Sequence, residues 1–436
     1  MRDILLTILV FGAIPFMIAR PSIGLLVWSW LGYMNPHRMT WGFAYAFPFV
    51  QVAAGATFVG LLFSREKVRF PWTPVTVVWL MWALWTCVTT FFALNPVSAE
   101  LGWERSIKVQ AMILATLLLM GSREKLNQLT WVIVASIGFF GIKGGLFTAA
   151  TGGVYRVWGP PGSFIEGNNE LALALLMIVP LMRYLQTQSR NRWVRGGLIV
   201  GMVLSAFAIV GSYSRGALVG GAVMVLMLWL KSRHKLMFGI PLFLTAVLAT
   251  SFMPEKWMER MGTIGEYTED SSAMGRINAW HFAWNLASDH PVVGGGFNTF
   301  TRDLFHRYAP DPEAFHDAHS IYFQVLAEHG FVGLILFVLL GFLTLRTAGW
   351  VIRAARDRPD LLWARDLAAM MQVGFVGYAV GGIFLGLAYF DLPYHLMTIA
   401  VLAKVAVQDA LRAPVPQTNG ALDTQAASPA APGMHR

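Results

Sequence analysis

Residues 65–94 read REKVRFPWTPVTVVWLMWALWTCVTTFFAL, a short basic cluster followed by an apolar run. The part from 73 to 94 contains no charged residue. An α-helix needs about 20 mainly apolar residues to cross the roughly 30 Å hydrocarbon core of a bilayer. This stretch therefore has the length and composition of a transmembrane helix that begins beside a basic loop.

The same alternation of apolar runs and charged clusters extends along most of the chain. Of the 436 residues, 56% are hydrophobic and 13% are charged, whereas a soluble domain carries about a quarter charged residues. This composition excludes a water-soluble globular protein and predicts an all-α polytopic membrane protein of about 12 transmembrane helices. The apolar runs fall at 4–19, 22–34, 43–63, 73–94, 107–121, 129–150, 169–185, 196–213, 216–230, 236–253, 320–345, 367–389 and 391–411.

The first two runs leave the number of spans open. Both are short, and Pro21 separates them. They form either two thin spans or one long kinked span, for thirteen or twelve in total, and we favour twelve. No small-residue cleavage site precedes Arg20, so we expect this segment to be retained rather than removed as a signal peptide.

The net charge of +9 comes from basic residues in loops, so it does not indicate nucleic-acid binding. Every second loop from residue 64 onward is basic, which the positive-inside rule assigns to the cytoplasm. The intervening loops then lie outside, and the largest of them spans 254–319. The predicted parts are a transmembrane bundle at 1–253, an external loop at 254–319, further transmembrane helices at 320–412 and a disordered cytoplasmic tail at 413–436. Cys87 is the only cysteine, which excludes a structural disulfide or a cysteine-based metal cluster.

Positive charges on the predicted external side are the unusual feature. Arg215 lies in the segment GSYSRG (211–216), next to Tyr213 and almost without a loop. Gly216 and Gly220 would allow a neighbouring helix to pack closely beside it. Lys143 and Arg156 lie on the same side. Interfacial arginine usually has an anionic partner, although snorkelling of Arg215 or Lys143 to the interface is the ordinary alternative.

The external loop ends in a second polar group. His319 precedes the run at 320–345, and Ser320, Gln324 and Glu328 follow at steps of four, which predicts one polar stripe facing the bundle interior. His316, Asp317 and His319 could bind a metal, but no second ligand cluster of similar strength occurs outside the loop. A nucleophilic pair of Ser214 and His319 lacks a third orienting group.

Arginines and a histidine at one membrane interface predict a particular chemistry. A guanidinium group matches phosphate oxygens, and a histidine with a pKa near neutrality can accept a proton from an attacking hydroxyl. We therefore expect the arginines to hold a lipid-linked diphosphate and to stabilise its charge as it leaves.

These residues resemble those of the O-antigen ligase and O-antigen polymerase superfamily. The matching features occur in the same order and flank a long external loop. They are Ser214-Arg215-Gly216, Gly275-Arg276-x3-Trp280, the segment 294–300, and Ala318-His319-Ser-x-Tyr-x-Gln-x3-Glu328-x-Gly330. The segments at 33–38, 162–173 and 308–312 are similar to those of probable O-glycosylation ligases that accompany exosortase systems, so the resemblance covers nearly all of the chain before the tail.

The resemblance implies a ligase that moves a finished glycan from undecaprenyl diphosphate to an acceptor hydroxyl at the periplasmic face of the bacterial inner membrane. The acceptor is a lipid A–core sugar or a Ser, Thr or Tyr of a protein. His319 would be the catalytic base, and Arg215 and Arg276 would bind the diphosphate, without a metal or another cofactor. Possible supporting residues are Lys143, Arg156, Tyr213, Gln324 and Glu328.

Two other functions stay open. A polymerase of the same superfamily would leave its product on the lipid carrier, whereas a ligase transfers the glycan to a different acceptor. A transporter of lipid-linked glycans belongs to another class of protein and often has internal repeats with broken helices near the middle of the membrane. The sequence shows no convincing repeat, and its polar groups gather at one face.

Overall fold

The computed structural model describes residues 1–64, 68–231, 253–262 and 271–412, with the single positions 244, 247 and 251. Within these residues the regular structure is helical. The α-helices are α1 (Arg2–Ala19), α2 (Pro21–Met34), α3 (Phe49–Phe63), α4 (Pro74–Phe91), α5 (Pro96–Leu119), α6 (Arg123–Ala150), α7 (Asn168–Gln188), α8 (Arg192–Gly211), α9 (Arg215–Lys231), α10 (Glu255–Gly262), α11 (Ser271–Asp289), α12 (Arg302–Tyr308), α13 (Ile321–Ala354), α14 (Leu362–Gly381) and α15 (Asp391–Arg412).

Several of these helices are long and apolar enough to cross a membrane. Seven meet that condition among the described residues, and they are α1, α4, α6, α7, α8, α13 and α14 with its flanking turns. The described part of the chain is all-helical, and its apolar helices indicate a multi-pass membrane protein. The total of about twelve spans stays a prediction, because most of the apolar run at 236–253 and the tail at 413–436 lie outside the described residues.

The N-terminal runs form two helices rather than one long kinked helix. Arg20 is extended between them, and Pro21 is the first residue of α2, a position where proline's missing N–H costs no hydrogen bond. The helices pack against each other, and Arg2 at the start of α1 donates a hydrogen bond to the Met39 carbonyl beyond the end of α2. The long-helix alternative that we favoured from the sequence is thus not what the structure shows.

Polar caps fix where several helices begin. Thr73 forms a reciprocal capping box with Thr76, and Pro74 opens α4. Asn95 accepts a hydrogen bond from the Ser98 N–H, and Ser122 accepts one from the Lys125 N–H. Such side chains satisfy N–H groups that a helix leaves without internal partners.

Small residues let the helices approach closely. A Cβ on Gly145 of α6 would lie 2.1 Å from the Leu204 carbonyl oxygen of α8. The predicted close packing beside Gly216 and Gly220 is confirmed, because a Cβ on Gly220 would lie 3.0 Å from the Gly377 carbonyl oxygen of α14. Backbone contact of this kind is typical of helices that associate in lipid.

Two helices are buried on all sides and form the centre of the bundle. Every residue from 171 to 178 in α7 is buried, as is every residue from 391 to 403 in α15. Helices buried all round belong to the interior. The surrounding helices pack against these two.

The connections at one end of the bundle pack together, and we name this the His319 end. Arg38 packs on Gly162, and the rings of Phe164 and Phe390 lie 6.1 Å apart. The Leu94 N–H donates to the Gly295 carbonyl at 3.0 Å. Segments that are far apart in the chain thus meet at the His319 end.

Candidate active site

The backbone of His319 is held in an uncommon conformation just before α13. Its φ is +41°, in the left-handed region that non-glycine residues rarely adopt. The Trp280 Nε1–H of α11 donates to the Ala318 carbonyl at 2.8 Å, and the Trp280 ring stacks on Phe323 with centroids 4.9 Å apart. Helix α11 therefore fixes the segment that carries His319.

Arg276 lies on the same helix, one turn before Trp280, and acts electrostatically on His319. Gly275 lets the His316 ring pack on α11, since a Cβ there would come within 2.2 Å of its Cδ2. Burial, and then the charge of Arg276, lower the pKa of His319 below its usual 6.5, while Asp317 opposes this shift. The imidazole is consequently neutral and able to accept a proton at pH 7.

Arg276 also interacts electrostatically with Glu170 in the first turn of α7. The start of α7 is tied to the end of α8, because Asn168 donates its side-chain N–H to the Ser212 carbonyl at 2.6 Å. The N-cap of α7 is Gly167. Asn168, the first residue of the helix, thus links two helices.

The predicted polar stripe on α13 is confirmed in its orientation. Ser320 and Glu328 are buried, and Gln324 is half-buried. Gln324 interacts electrostatically with the Glu328 carboxyl group. The Asn298 N–H donates to Glu328 Oε1 at 3.0 Å. The carboxylate of Glu328 is therefore held by groups from two parts of the chain.

Glu328 belongs to a buried network that the sequence did not predict. The Tyr389 hydroxyl donates to Glu328 Oε2, and it also lies 2.9 Å from His329 Nε2. His329 Nδ1 lies 2.7 Å from the Thr89 hydroxyl. With the tyrosine proton directed at Glu328, His329 Nε2–H donates to Tyr389 and Nδ1 accepts from Thr89.

Helix α13 is interrupted at Gly330, which has φ +67° and ψ −171°. The N–H groups of Gly295 and Gly296 donate to the carbonyls of Ala327 and Glu328 at 2.8 and 2.9 Å. These bonds replace helical ones that the interruption removes. The run at 320–345 was predicted as one span, but the structure divides it into a short piece at 321–329 and a longer piece beyond Gly330.

Arg215 begins α9, and the next residue, Gly216, packs against the segment 384–386, which also contacts the backbone at His319. A Cβ on Gly216 would lie 3.0 Å from Phe384 Cβ, and one on Gly386 would lie 3.9 Å from His319 Cα. Ser214 is buried, and its hydroxyl accepts from the Ala217 N–H at 3.2 Å. The serine of the proposed nucleophilic pair therefore serves as a helix cap.

The other predicted residues form a separate group beside Arg215. The Tyr213 hydroxyl donates to the Gly153 carbonyl at 2.7 Å, and the Arg156 guanidinium lies 5.7 Å from the Tyr213 ring centroid. Lys143 and Arg156 line one cavity of about 800 Å³. Tyr213 thus joins this cavity to the start of α9.

The histidines of the possible metal site lie near each other. The ring centroids of His316 and His319 are 6.2 Å apart. Across the described part of the chain, no three His, Cys, Asp or Glu side chains group so that they could hold a metal ion.

Sequence reasoning missed Tyr389, His329, Asn298, and the arginines Arg2 and Arg38 that share the cavity of Lys143 and Arg156. The pair His329-Gly330 and the triple glycine at 294–296 were signals of an irregular helix, because glycine often marks close backbone approach. Tyr389 gave no local signal, since its partners are about 60 residues away in the chain.

Two family models match parts of the chain. No curated protein matches the chain. Residues 1–191 match a family of unknown function. Residues 200–338, which include Arg215, Arg276 and His319, match the family described as O-antigen ligase, and this match supports placing the chain in the O-antigen ligase superfamily.

Proposed function

We propose that the protein is a glycan ligase of the bacterial inner membrane. It transfers a preassembled glycan from undecaprenyl diphosphate to an acceptor hydroxyl at the periplasmic face. The acceptor is a lipid A–core sugar or a protein side chain, as in the O-glycosylation ligases that the sequence resembles. The observation that carries this proposal is the position of His319 beside Arg276, where burial and the guanidinium charge lower the pKa of the imidazole, within the segment that matches O-antigen ligases.

His319 acts as the general base in this reaction. Its ring takes the proton of the acceptor hydroxyl as the hydroxyl oxygen forms a bond to the first sugar carbon of the glycan. The bond from that carbon to the diphosphate oxygen breaks, and its electron pair leaves with the undecaprenyl diphosphate. The lowered pKa of His319 supports this role, because the ring is unprotonated before the acceptor binds.

Arg276 and Arg215 bind the diphosphate and stabilise the charge that develops on it. Guanidinium groups pair with phosphate oxygens through two parallel hydrogen bonds, and these gain strength away from water. Arg276 is half-buried on α11, and Arg215 stands at the start of α9. Gln324 and Glu328 follow His319 in the first turns of α13, and they make the inward face of this helix polar.

The test is transfer by the purified protein from an undecaprenyl-diphosphate glycan to candidate acceptors, in the presence of a chelator. We expect His319→Ala to lower the rate roughly 100- to 10,000-fold, the range for removal of a general base. Arg276→Ala and Arg215→Ala should each lower it on the order of 100-fold. The matched controls are His281→Ala, an exposed histidine of α11, and Arg307→Ala, whose guanidinium lies over the Tyr308 ring.

The same assay separates the competing functions. Product that stays on the lipid carrier would identify a polymerase, and glycan that crosses vesicle membranes without changing its carrier would identify a transporter. Full activity in His319→Ala would remove the assignment of the base. Activity lost with the chelator and restored by zinc would contradict the metal-independent reaction.

A further inference from the structure

A cavity of about 800 Å³ lies between α1, α2, α6 and the segment 151–161, and we name it the cationic groove. Ligand pockets span about 300–1,000 Å³. Four of its lining residues are cationic, and among the described residues that line it none is acidic. The cations are Arg2, Arg38, Lys143 and Arg156. This concentration of charge indicates an anionic ligand.

Contacts with neighbouring groups position most of these cations. The Arg2 guanidinium lies 5.2 Å from the Trp41 ring centroid, and the Arg38 guanidinium lies 4.8 Å from that of Tyr45. Arg38 Nε is buried and has no hydrogen-bond partner among the described residues. A buried N–H of this kind is costly unless something pairs with it. A phosphate oxygen in the groove would supply that partner.

One wall of the groove is apolar and exposed. Leu5 and Leu9 of α1 are 61% and 54% exposed, and Phe147 of α6 is 42% exposed. In a membrane these side chains face lipid. Trp41 and Trp158, which also line the groove, are 90% and 59% exposed, and tryptophan is enriched at the boundary between lipid and water. The groove therefore opens sideways to the bilayer at the level of the headgroups.

The groove is also connected to the candidate active site. Arg156 lines it and lies over Tyr213, two residues before Arg215. A free anion needs no apolar wall, and an ordinary phospholipid needs no connection to Arg215. A lipid with a long chain and a diphosphate fits both features.

We propose that the cationic groove is the docking site for the diphosphate headgroup of the lipid-linked donor, whose polyprenyl chain lies along α1 and α6. This inference rests on the proposed ligase function. The headgroup enters from the bilayer between these helices and pairs with Arg38 and Lys143. From this docking site the diphosphate passes Arg156 to Arg215 and Arg276, which hold it while the glycan is transferred.

Binding can be measured without transfer, by native mass spectrometry of the full-length protein in detergent. The probes are undecaprenyl diphosphate, uncharged undecaprenol, inorganic diphosphate and phosphatidylglycerol. We expect Lys143→Gln and Arg38→Gln to weaken binding of undecaprenyl diphosphate by about tenfold each, because each removes a charge-assisted hydrogen bond. Lys143→Arg keeps the charge and should retain affinity, and Arg307→Gln should leave binding unchanged.

The outcomes distinguish this inference from the proposed function. Unchanged binding of undecaprenyl diphosphate in the Lys143→Gln/Arg38→Gln double variant would overturn the docking site, whatever its rate of transfer. Equal competition by phosphatidylglycerol would assign the groove to ordinary lipid, and equal competition by inorganic diphosphate would show that the apolar wall is not used. If the groove variants lose binding but the intact protein transfers no glycan, the docking site stands and the ligase function fails.

Discussion

At the scale of single residues, His319 combines a constrained backbone with a neutral side chain. Its left-handed φ of +41° is the type of local strain that concentrates at functional sites. The hydrogen bond from Trp280 to Ala318 and the packing of Gly386 against His319 hold it in place. The backbone that carries the ring is thereby held by α11 and by the segment before α15.

The lowered pKa of His319 predicts how transfer depends on pH. In the proposed reaction the neutral imidazole is the base. The rate should therefore be constant at pH 7 and above and should fall only as the pH drops through a value below 6.5, where the ring becomes protonated. Single-turnover rates from pH 5 to 8 measure this. A fall that begins above pH 7 would contradict the lowered pKa. In Arg276→Gln the midpoint should move upward, because a positive charge that opposes protonation is removed.

Local spacing predicted part of the residue-level site. The steps of four from Ser320 to Glu328 were enough to place these side chains on one inward face, because helix geometry is regular. The hydrogen bonds that complete the network come from Asn298 and Tyr389, about 30 and 61 residues away from Glu328 along the chain. Such pairings depend on how helices dock, and no local pattern specifies them.

At the scale of elements, the interruption of α13 is the feature that shapes the site. Gly330 has a combination of φ and ψ that is essentially restricted to glycine. A Cβ there would lie 2.5 Å from the Val292 carbonyl oxygen. The crossing of 291–296 over this point is thus possible only because both backbones lack side chains where they meet.

We expect Gly330→Ala to destabilise the protein by about 1–3 kcal/mol, because the alanine must adopt the strained conformation. The contact with Val292 adds to this cost. The matched control is Gly55→Ala in α3, where a Cβ would meet nothing within 4 Å. Thermal unfolding in detergent measures the difference. Equal midpoints for both variants would show that the interruption is not under strain.

The N-terminal helices illustrate what the sequence left undecided. Each run is close to the minimum length for a span, and a proline between them is compatible with either a kink or a break. The contacts of Arg2 with Met39 and of Asp3 with the N–H groups of Gly42 and Ala44 decide in favour of a hairpin. These contacts join positions almost 40 residues apart, so only tertiary structure reveals them.

At the scale of the whole molecule, the alternation of basic and non-basic loops predicted which connections share a side. The hairpin of α1 and α2 adds the N-terminus to the His319 end. The residues of the candidate site come from the segments near 170, 215, 276, 319 and 386, which only the packed bundle brings together. Composition and loop charge therefore predict the class of protein, and packing determines the site.

Cysteine labelling tests this arrangement in the membrane. In a Cys87→Ala background, Trp41→Cys, Tyr155→Cys and His306→Cys should react with a membrane-impermeant reagent added from outside. Lys125→Cys and Arg190→Cys should react only after permeabilisation, since the positive-inside rule places basic loops in the cytoplasm. Labelling of Trp41→Cys together with Lys125→Cys, and not with His306→Cys, would contradict the placement of Trp41 at the His319 end.

The backbone bonds between 295–296 and 327–328 have a mechanical consequence. The short piece at 321–329 is fastened to the 291–298 segment and, through His329, to Thr89 of α4. In the longer piece beyond Gly330, Phe337 packs on Trp82 of α4 and Gly341 packs on Phe375 of α14. A twist about Gly330 would carry His319, Gln324 and Glu328 as one rigid unit, and the remainder of α13 would stay in place. In the proposed reaction such a movement would make room for the sugar while the longer piece of α13 keeps its contacts within the bundle.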